Sequence, residues 1–298
     1  MTAAGRSPAR KSVPRPSWRS VAIVGVGLIG GSLGLALRKA QAAQHIIGVG
    51  PNKASLQVAK RRGAIDQGTS DLKRAVKNAD LVVICTPVGM VAPLAIDAAN
   101  HCSEQCVITD AGSTKSAIVG EISSARGDGR FPSGVAFVGG HPIAGRGSSG
   151  PAAAETDLFQ DRRVILTPER GKNTAAVRKV TAMWQATGAT VSCMSPADHD
   201  CLLAASSHLP HVVAAALSAT LNARERKHSA GGLADTTRIA SGDPKLWLDI
   251  LQTNAAEVIA VIDRFQIALK ELRESIAGDD QRKLTNILRK AKRNRDAL

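Results

Sequence analysis

A histidine set among glycines and a proline is the first residue of this chain with a chemical task to offer. It stands in Gly139-Gly140-His141-Pro142-Ile143-Ala144-Gly145. An imidazole titrates near neutral pH, so it can take a proton and return it within one reaction. A second stretch, Asp110-Ala111-Gly112-Ser113-Thr114-Lys115, offers the Ser113 hydroxyl. A third, Gly25-Val26-Gly27-Leu28-Ile29-Gly30, spaces its glycines as G-x-G-x-x-G. In that pattern the first glycine permits a tight turn, the second lets the backbone approach a pyrophosphate, and the third lets a helix pack close to a strand. The N–H groups that open the helix, around Leu28 and Ile29, then face the phosphates. Taken singly, each stretch has a plainer reading. His141 could cap a Gly/Pro turn, Ser113 could cap a helix, and the glycines could be a structural turn.

The elements that must position these residues decide between the readings. Short apolar runs occur at Val21-Ala22-Ile23-Val24, Ile46-Ile47-Gly48-Val49, Leu81-Val82-Val83-Ile84, Val107-Ile108-Thr109-Asp110, Ala136-Phe137-Val138 and Val164-Ile165-Leu166. They alternate with helical patterns, among them residues 53–62 and 71–78, which predicts βαβ units and a parallel sheet. Cys85-Thr86-Pro87-Val88 ends the third run, the Ser113 stretch the fourth and the His141 stretch the fifth. Ligands of open α/β sheets bind beyond the carboxyl ends of the strands. Thr86, Pro87, Ser113 and His141 are therefore expected to converge on one crevice beside the glycine loop. A carboxylate at the end of the second strand would select NAD over NADP. Gly50 stands there instead, followed by Pro51, Asn52 and Lys53. Asn52 could bond a ribose hydroxyl and Lys53 a 2′-phosphate, so NAD and NADP both remain open. From about Ala197 onward the β-branched runs give way to Ala- and Leu-rich helical patterns. The fold class is accordingly α/β: a Rossmann-type dinucleotide-binding domain over residues 19–195, then an all-helical C-terminal domain over residues 196–298. Residues 1–18 read as a basic, disordered leader.

Composition bounds the function. The chain has 298 residues, 44% hydrophobic and 21% charged, as in ordinary globular proteins. Only 2% are aromatic, so the core is expected to be aliphatic. The net charge of +14 is concentrated at the two ends, where a solvated tail and a solvated helix face account for it. Basic residues interleaved with aromatics are missing, which speaks against nucleic acid. No apolar run reads as long enough to span a bilayer. The five cysteines show no C-x-x-C spacing and fit reduced thiols in the cytoplasm.

A fourth segment lies in the helical part. It comprises Ser207-His208-Leu209-Pro210-His211 and Asp235-Thr236-Thr237-Arg238-Ile239-Ala240-Ser241-Gly242-Asp243-Pro244-Lys245-Leu246-Trp247. With the stretches above, in this order, the chain resembles the prephenate and arogenate dehydrogenases, oxidoreductases that end tyrosine biosynthesis. The resemblance implies that hydride leaves C4 of a cyclohexadienol for NAD or NADP while CO₂ leaves the opposite ring carbon. It implies that His141 deprotonates the C4 hydroxyl and that Ser113 hydrogen-bonds it. Arg238 would bind a substrate carboxylate through its fork of donors. His208 and His211, on one helix face, and Trp247 would line the substrate pocket, with His211 nearer the substrate side chain. It also implies a homodimer through the helical domain and no metal, although His199, Asp200, His208 and His211 could be read as ligands. Two departures are Leu233 and Ala234, where relatives often carry an aromatic and a basic residue. Arg146 adds a charge beside the expected crevice. The alternatives are a dehydrogenase of the 3-hydroxyacid type and a non-catalytic dinucleotide-sensing protein.

Overall fold

In the computed structural model, which describes residues 18–145, 147–169 and 174–297, the apolar runs become the inner strands of one sheet. The strands are β1 (Trp18–Val24), β2 (Ala43–Val49), β3 (Gln67–Thr69), β4 (Leu81–Ile84), β5 (Val107–Asp110), β6 (Ala136–Pro142), β7 (Arg163–Thr167) and β8 (Thr190–Cys193). Their order is β3-β2-β1-β4-β5-β6-β7-β8, parallel except where β7 runs against β6. The helices between them are α1 (Leu28–Lys39), α2 (Lys53–Arg61), α3 (Leu72–Val76), α4 (Val88–Ala99), α5 (Ser116–Gly127) and α6 (Thr174–Ala186). The strand order reverses at β1 and β4, which places the loop after β1 at the switch point where such sheets take ligands. β4 and β5 are buried at every position; β4 is apolar throughout, as a strand covered on both faces should be, while β5 ends in Thr109 and Asp110.

The chain divides into two compact units after His199. The first unit's core joins Val21, Ile23, Leu33, Leu37, Ile46, Leu81 and Val83. It is less purely aliphatic than expected. Trp18, Phe159 and Trp184 are buried in it, the last two edge to face with centroids 5.2 Å apart. A large ring covers the area of several aliphatic side chains, so a few suffice. Trp18 belongs to β1 and not to the leader, whose residues 1–17 lie outside the described residues.

The second unit is helical. Its elements are the end of α7 (Pro196–Leu203), then α8 (Leu209–Thr220), α9 (Ala223–Lys227), α10 (Gly231–Thr237), α11 (Pro244–Thr253), α12 (Ala255–Ala277) and α13 (Gln281–Asp296). A π-helical turn, Ala204–His208, joins α7 to α8. Pro210 follows it; with no N–H, and with a ring that would strike the carbonyl four residues back, it cannot sit in an undistorted α-helix. Ala204 packs on Val258 and Val261 of α12. By length and composition the continuous stretch Pro196–Thr220, 25 residues, could cross a membrane. This corrects the expectation that no run is long enough. Its polar residues hide its length in the sequence, and Ala204, His208 and His211 within it are buried. Basic α13 has no buried residue, as a solvated face should.

Three further differences from the sequence reading have local causes. β3 and β8 were not expected: both are short edge strands, and β3 is formed by Gln67, Gly68 and Thr69, which carry no apolar signal. β6 continues through His141 and Pro142, so the histidine is on the strand and not beyond its end. α5 starts at Ser116 with Lys115 at its N-cap position, so Ser113 lies in the loop and caps nothing.

Candidate active site

The glycine loop has the geometry its spacing predicts. Gly25 has φ +91°, and a Cβ there would lie 2.6 Å from the carbonyl oxygen of Cys85. A Cβ on Gly30 would lie 2.0 Å from the carbonyl oxygen of Gly25, so α1 packs against the loop only because position 30 has no side chain. A Cβ on Gly27 would meet nothing within 4 Å, which leaves its surroundings open. Gly27 is also the N-cap of α1 and supplies no side-chain cap. The N–H groups that open α1, around Leu28 and Ile29, therefore have no side-chain acceptor at the cap. Such a helix end suits a pyrophosphate, so these residues fit a dinucleotide. The methyl group of Thr86 borders the loop, 3.1 Å from where a Gly25 Cβ would stand. Pro87 follows at the N-cap of α4. Burial first, and the Asp110 carboxylate second, push the Cys85 thiol far above its ordinary range, so it stays protonated. At the end of β2, the Asn52 side chain caps α2 by accepting from the Ser55 N–H at 3.1 Å, and Lys53 is exposed.

The stretches that carry Ser113 and His141 are tied to one buried carboxylate. Asp110, at the end of β5, accepts from the Gly112 N–H and the Gly140 N–H, each at 2.9 Å. The Lys115 ammonium pairs with the same carboxylate and donates to the Gly140 carbonyl at 3.0 Å. Both side chains are wholly buried. The first bond clamps the loop that contains Ser113, and the others fix the residue before His141. The paired glycines allow this approach. A Cβ on Gly139 would lie 2.4 Å from the Thr167 hydroxyl, and one on Gly140 2.7 Å from the Asp110 carbonyl oxygen.

His141 is half-buried, with Nδ1 2.9 Å from Nε2 of His199, whose side chain is fully buried in the first turn of α7. In the sequence Asp110 and Lys115 stand only as letters of a motif, and His199 only as a possible metal ligand. Their charges and polarity were visible; their burial was not. Among the described residues, no cluster of three or more His, Cys, Asp or Glu is disposed to hold a metal. Arg146 lies outside the described residues.

The second unit gathers His208, His211 and Trp247. The His211 ring stacks on the Trp247 indole with centroids 3.4 Å apart and planes 12° from parallel. His208 meets the same indole edge-on at 6.2 Å. Gly242 makes room for this stack, because a Cβ there would lie 2.7 Å from Trp247 Nε1 and 3.1 Å from His211 Cε1. His208 is buried, and Nδ1 accepts from the Asn254 amide at 3.2 Å. The same amide donates to the Asp200 carbonyl at 2.9 Å. Burial alone lowers the His211 pKa below its ordinary value. Arg238 is exposed at the end of α10, and no carboxylate of the described residues pairs with it.

Residues 33–193 match the model of the prephenate dehydrogenase nucleotide-binding domain, and residues 195–290 match that of the prephenate dehydrogenase dimerization domain. The chain belongs to the prephenate dehydrogenase family. Cyclohexadienyl dehydrogenase of Zymomonas mobilis is 34% identical over 291 residues, which cover 94% of this chain and 96% of the relative. Prephenate dehydrogenase of Bacillus subtilis is 35% identical over 289 residues, 94% of this chain and 76% of the relative. Among solved structures, prephenate dehydrogenase from A. aeolicus in complex with hydroxyphenyl propionate and NAD+ aligns with a TM-score of 0.86 at 33% identity, covering 96% of this chain and 99% of that one. Synechocystis arogenate dehydrogenase aligns with a TM-score of 0.79 at 27% identity, covering 93% and 99%. Membership makes the chain a nicotinamide-dependent oxidoreductase and removes the reading as a dehydrogenase of the 3-hydroxyacid type.

Proposed function

We propose that this chain oxidatively decarboxylates prephenate, arogenate or both, with NAD or NADP as hydride acceptor. The observation that carries the reading is the placement of His141. It lies at the end of β6, held by the Asp110–Lys115 pair that also clamps the Ser113 loop, in a chain of this family. When bound, the nicotinamide accepts the hydride that leaves C4 of the substrate ring. His141 takes the C4 hydroxyl proton at Nε2 as the carbon–oxygen bond becomes a carbonyl. Loss of CO₂ from the opposite carbon sends the electron pair into the ring, and the phenolate so formed recovers the proton from His141. The Ser113 hydroxyl hydrogen-bonds the same oxygen. Arg238 binds a substrate carboxylate, where a permanently charged, bidentate donor is the best partner. His211, kept neutral by burial, faces the substrate side chain, and Trp247 with His208 behind it forms the wall that orients His211. The dinucleotide is held by Gly25, Gly27, Gly30 and the N–H groups around Leu28 and Ile29, with Thr86 and Pro87 alongside. Asn52 and Lys53 border its adenosine end.

The helical unit exposes Leu246, Leu248, Ile259, Ile267, Leu269 and Ile276. Residues 195–290 match a dimerization domain model, which supports a homodimer through this unit as part of the reading. A cytoplasmic location accords with the free cysteines. The deciding assay offers the purified protein prephenate and arogenate, each with NAD and with NADP, and follows reduced nicotinamide by absorbance. Turnover in at least one of the four mixtures is expected. Silence in all of them refutes the reading, and the ratio among them sets substrate and cofactor preference.

A further inference from the structure

We propose that His199 is a positioning residue that holds His141 in the one tautomer able to act as a base. The inference rests on the base role given to His141 above. Nδ1 of His141 and Nε2 of His199 are 2.9 Å apart, and the ring planes are tilted by 59° with centroids 5.1 Å apart, so the rings meet through their nitrogens and not as a stack. One hydrogen is shared on that line, and its direction decides the chemistry. If His199 donated from Nε2, His141 would carry its hydrogen on Nε2 and meet a hydroxyl as a donor. With His141 donating from Nδ1, its Nε2 keeps a lone pair and can accept the hydroxyl proton. The bond survives that transfer, because Nδ1 is a donor both before and after Nε2 is protonated. The proton then returns from Nε2 to the phenolate, and nothing is left over. An imidazole whose own hydrogen sits on Nδ1 accepts at Nε2 and then holds its partner's tautomer as the carboxylate of a serine-protease triad does, without setting a negative charge against the ring.

The backbone is arranged for this contact. His141 on β6 lies opposite Ile165 on β7, and the next residue, Leu166, lies opposite Cys193 on β8. The Met194 N–H then donates to the Leu166 carbonyl at 3.1 Å, which carries the register of the sheet up to α7. The Ser195 hydroxyl accepts from the Asp198 N–H at 3.0 Å and starts the helix, and the His199 N–H donates to the Ser195 carbonyl at 3.0 Å. Both histidines are thus referenced to the same strand, β7. His199 is entirely shielded from solvent, so water does not compete for its Nε2.

The test begins with the unaltered full-length protein, labelled with ¹⁵N in its imidazoles. The His141 signals are expected to show hydrogen on Nδ1 and a lone pair on Nε2. A His141 that carries its hydrogen on Nε2 overturns the proposal whatever the activity. His199→Leu is expected to lower kcat roughly 10- to 100-fold, as loss of outer-shell partners does elsewhere, with KM changed by less than about threefold. In that variant the His141 hydrogen should redistribute to Nε2. His199→Gln supplies an amide oxygen for the Nδ1–H and should bring kcat back to within about fivefold of the original. A folded His199→Leu protein with kcat within about twofold of wild type also overturns it. If the unaltered protein turns over neither substrate, the base role fails, while the nitrogen spectrum still reports separately whether His199 sets the tautomer.

Discussion

Removing the ammonium of Lys115 is expected to weaken the fold and the chemistry together. Lys115→Met keeps the length of the side chain and deletes the charge. Asp110 would retain the N–H donors of Gly112 and Gly140, but its carboxylate would be wholly buried with no counter-charge, and the Gly140 carbonyl would lose a donor. Breaking a buried pair from one side costs about 3–5 kcal/mol, most of it the penalty of the stranded charge. In a unit of this size each kcal/mol lowers the melting temperature by about 2–4 °C, so a fall of roughly 6–20 °C is expected. Asp110→Asn strands the lysine in the same way and should cost a similar amount. The double variant should then recover part of the loss, since neither charge is left alone. Thermal unfolding of the four proteins, followed by circular dichroism, checks this. A Lys115→Met protein that melts within about 2 °C of wild type would refute the reasoning. So would a double variant whose loss is the sum of the two single losses. Because the pair fixes Gly140 and clamps the Ser113 loop, kcat should fall in the surviving folded protein even with saturating substrate.

Other consequences can be measured more simply. His141→Asn keeps a polar side chain but lacks a base near neutral pH; kcat should drop by about 10²–10⁴ with KM little changed, and steady-state kinetics showing an unaltered kcat would remove the role. Arg238→Ala should raise KM by roughly 10- to 100-fold, the equivalent of one charge-assisted contact, and leave kcat within a few-fold; an unchanged KM contradicts carboxylate binding. His211 titrates below its unfolded value because of burial. The unfolded chain therefore takes the proton first as the pH falls through about 6.5, and stability should decline from there until the folded pKa is passed. Denaturant unfolding of His211→Gln between about pH 5 and 7.5 should lack that part of the slope; an identical slope in both proteins excludes His211 as its source.

How much of the site could be read without coordinates depended on whether a residue acts through its neighbours in sequence or in space. β4 was readable residue by residue, because a strand buried on both faces needs an unbroken apolar run, and β5 was readable from the β-branched Val107, Ile108 and Thr109. The glycine loop was readable because its demands are local: a positive φ at Gly25 and a missing Cβ at Gly30 show directly as residue types. His141, Ser113 and Arg238 were nominated because motifs of fixed spacing surround them. β3 and β8 escaped, since an edge strand is held by backbone bonds that any side chain allows. His199 escaped for a different reason. It comes 58 residues after His141, and only the pairing of β6 with β7 and β7 with β8 brings the rings together. Asp110 and Lys115 stood in plain view as charged residues, and a charged residue in a sequence defaults to the surface. The sequence alone thus determined which groups could take a proton, bind a carboxylate or approach a phosphate, because those are properties of residue types. The tertiary structure alone decided that two of the charges are buried against each other, and that a second imidazole comes within hydrogen-bond reach of the first, because burial and proximity are set by whatever else occupies the surrounding space.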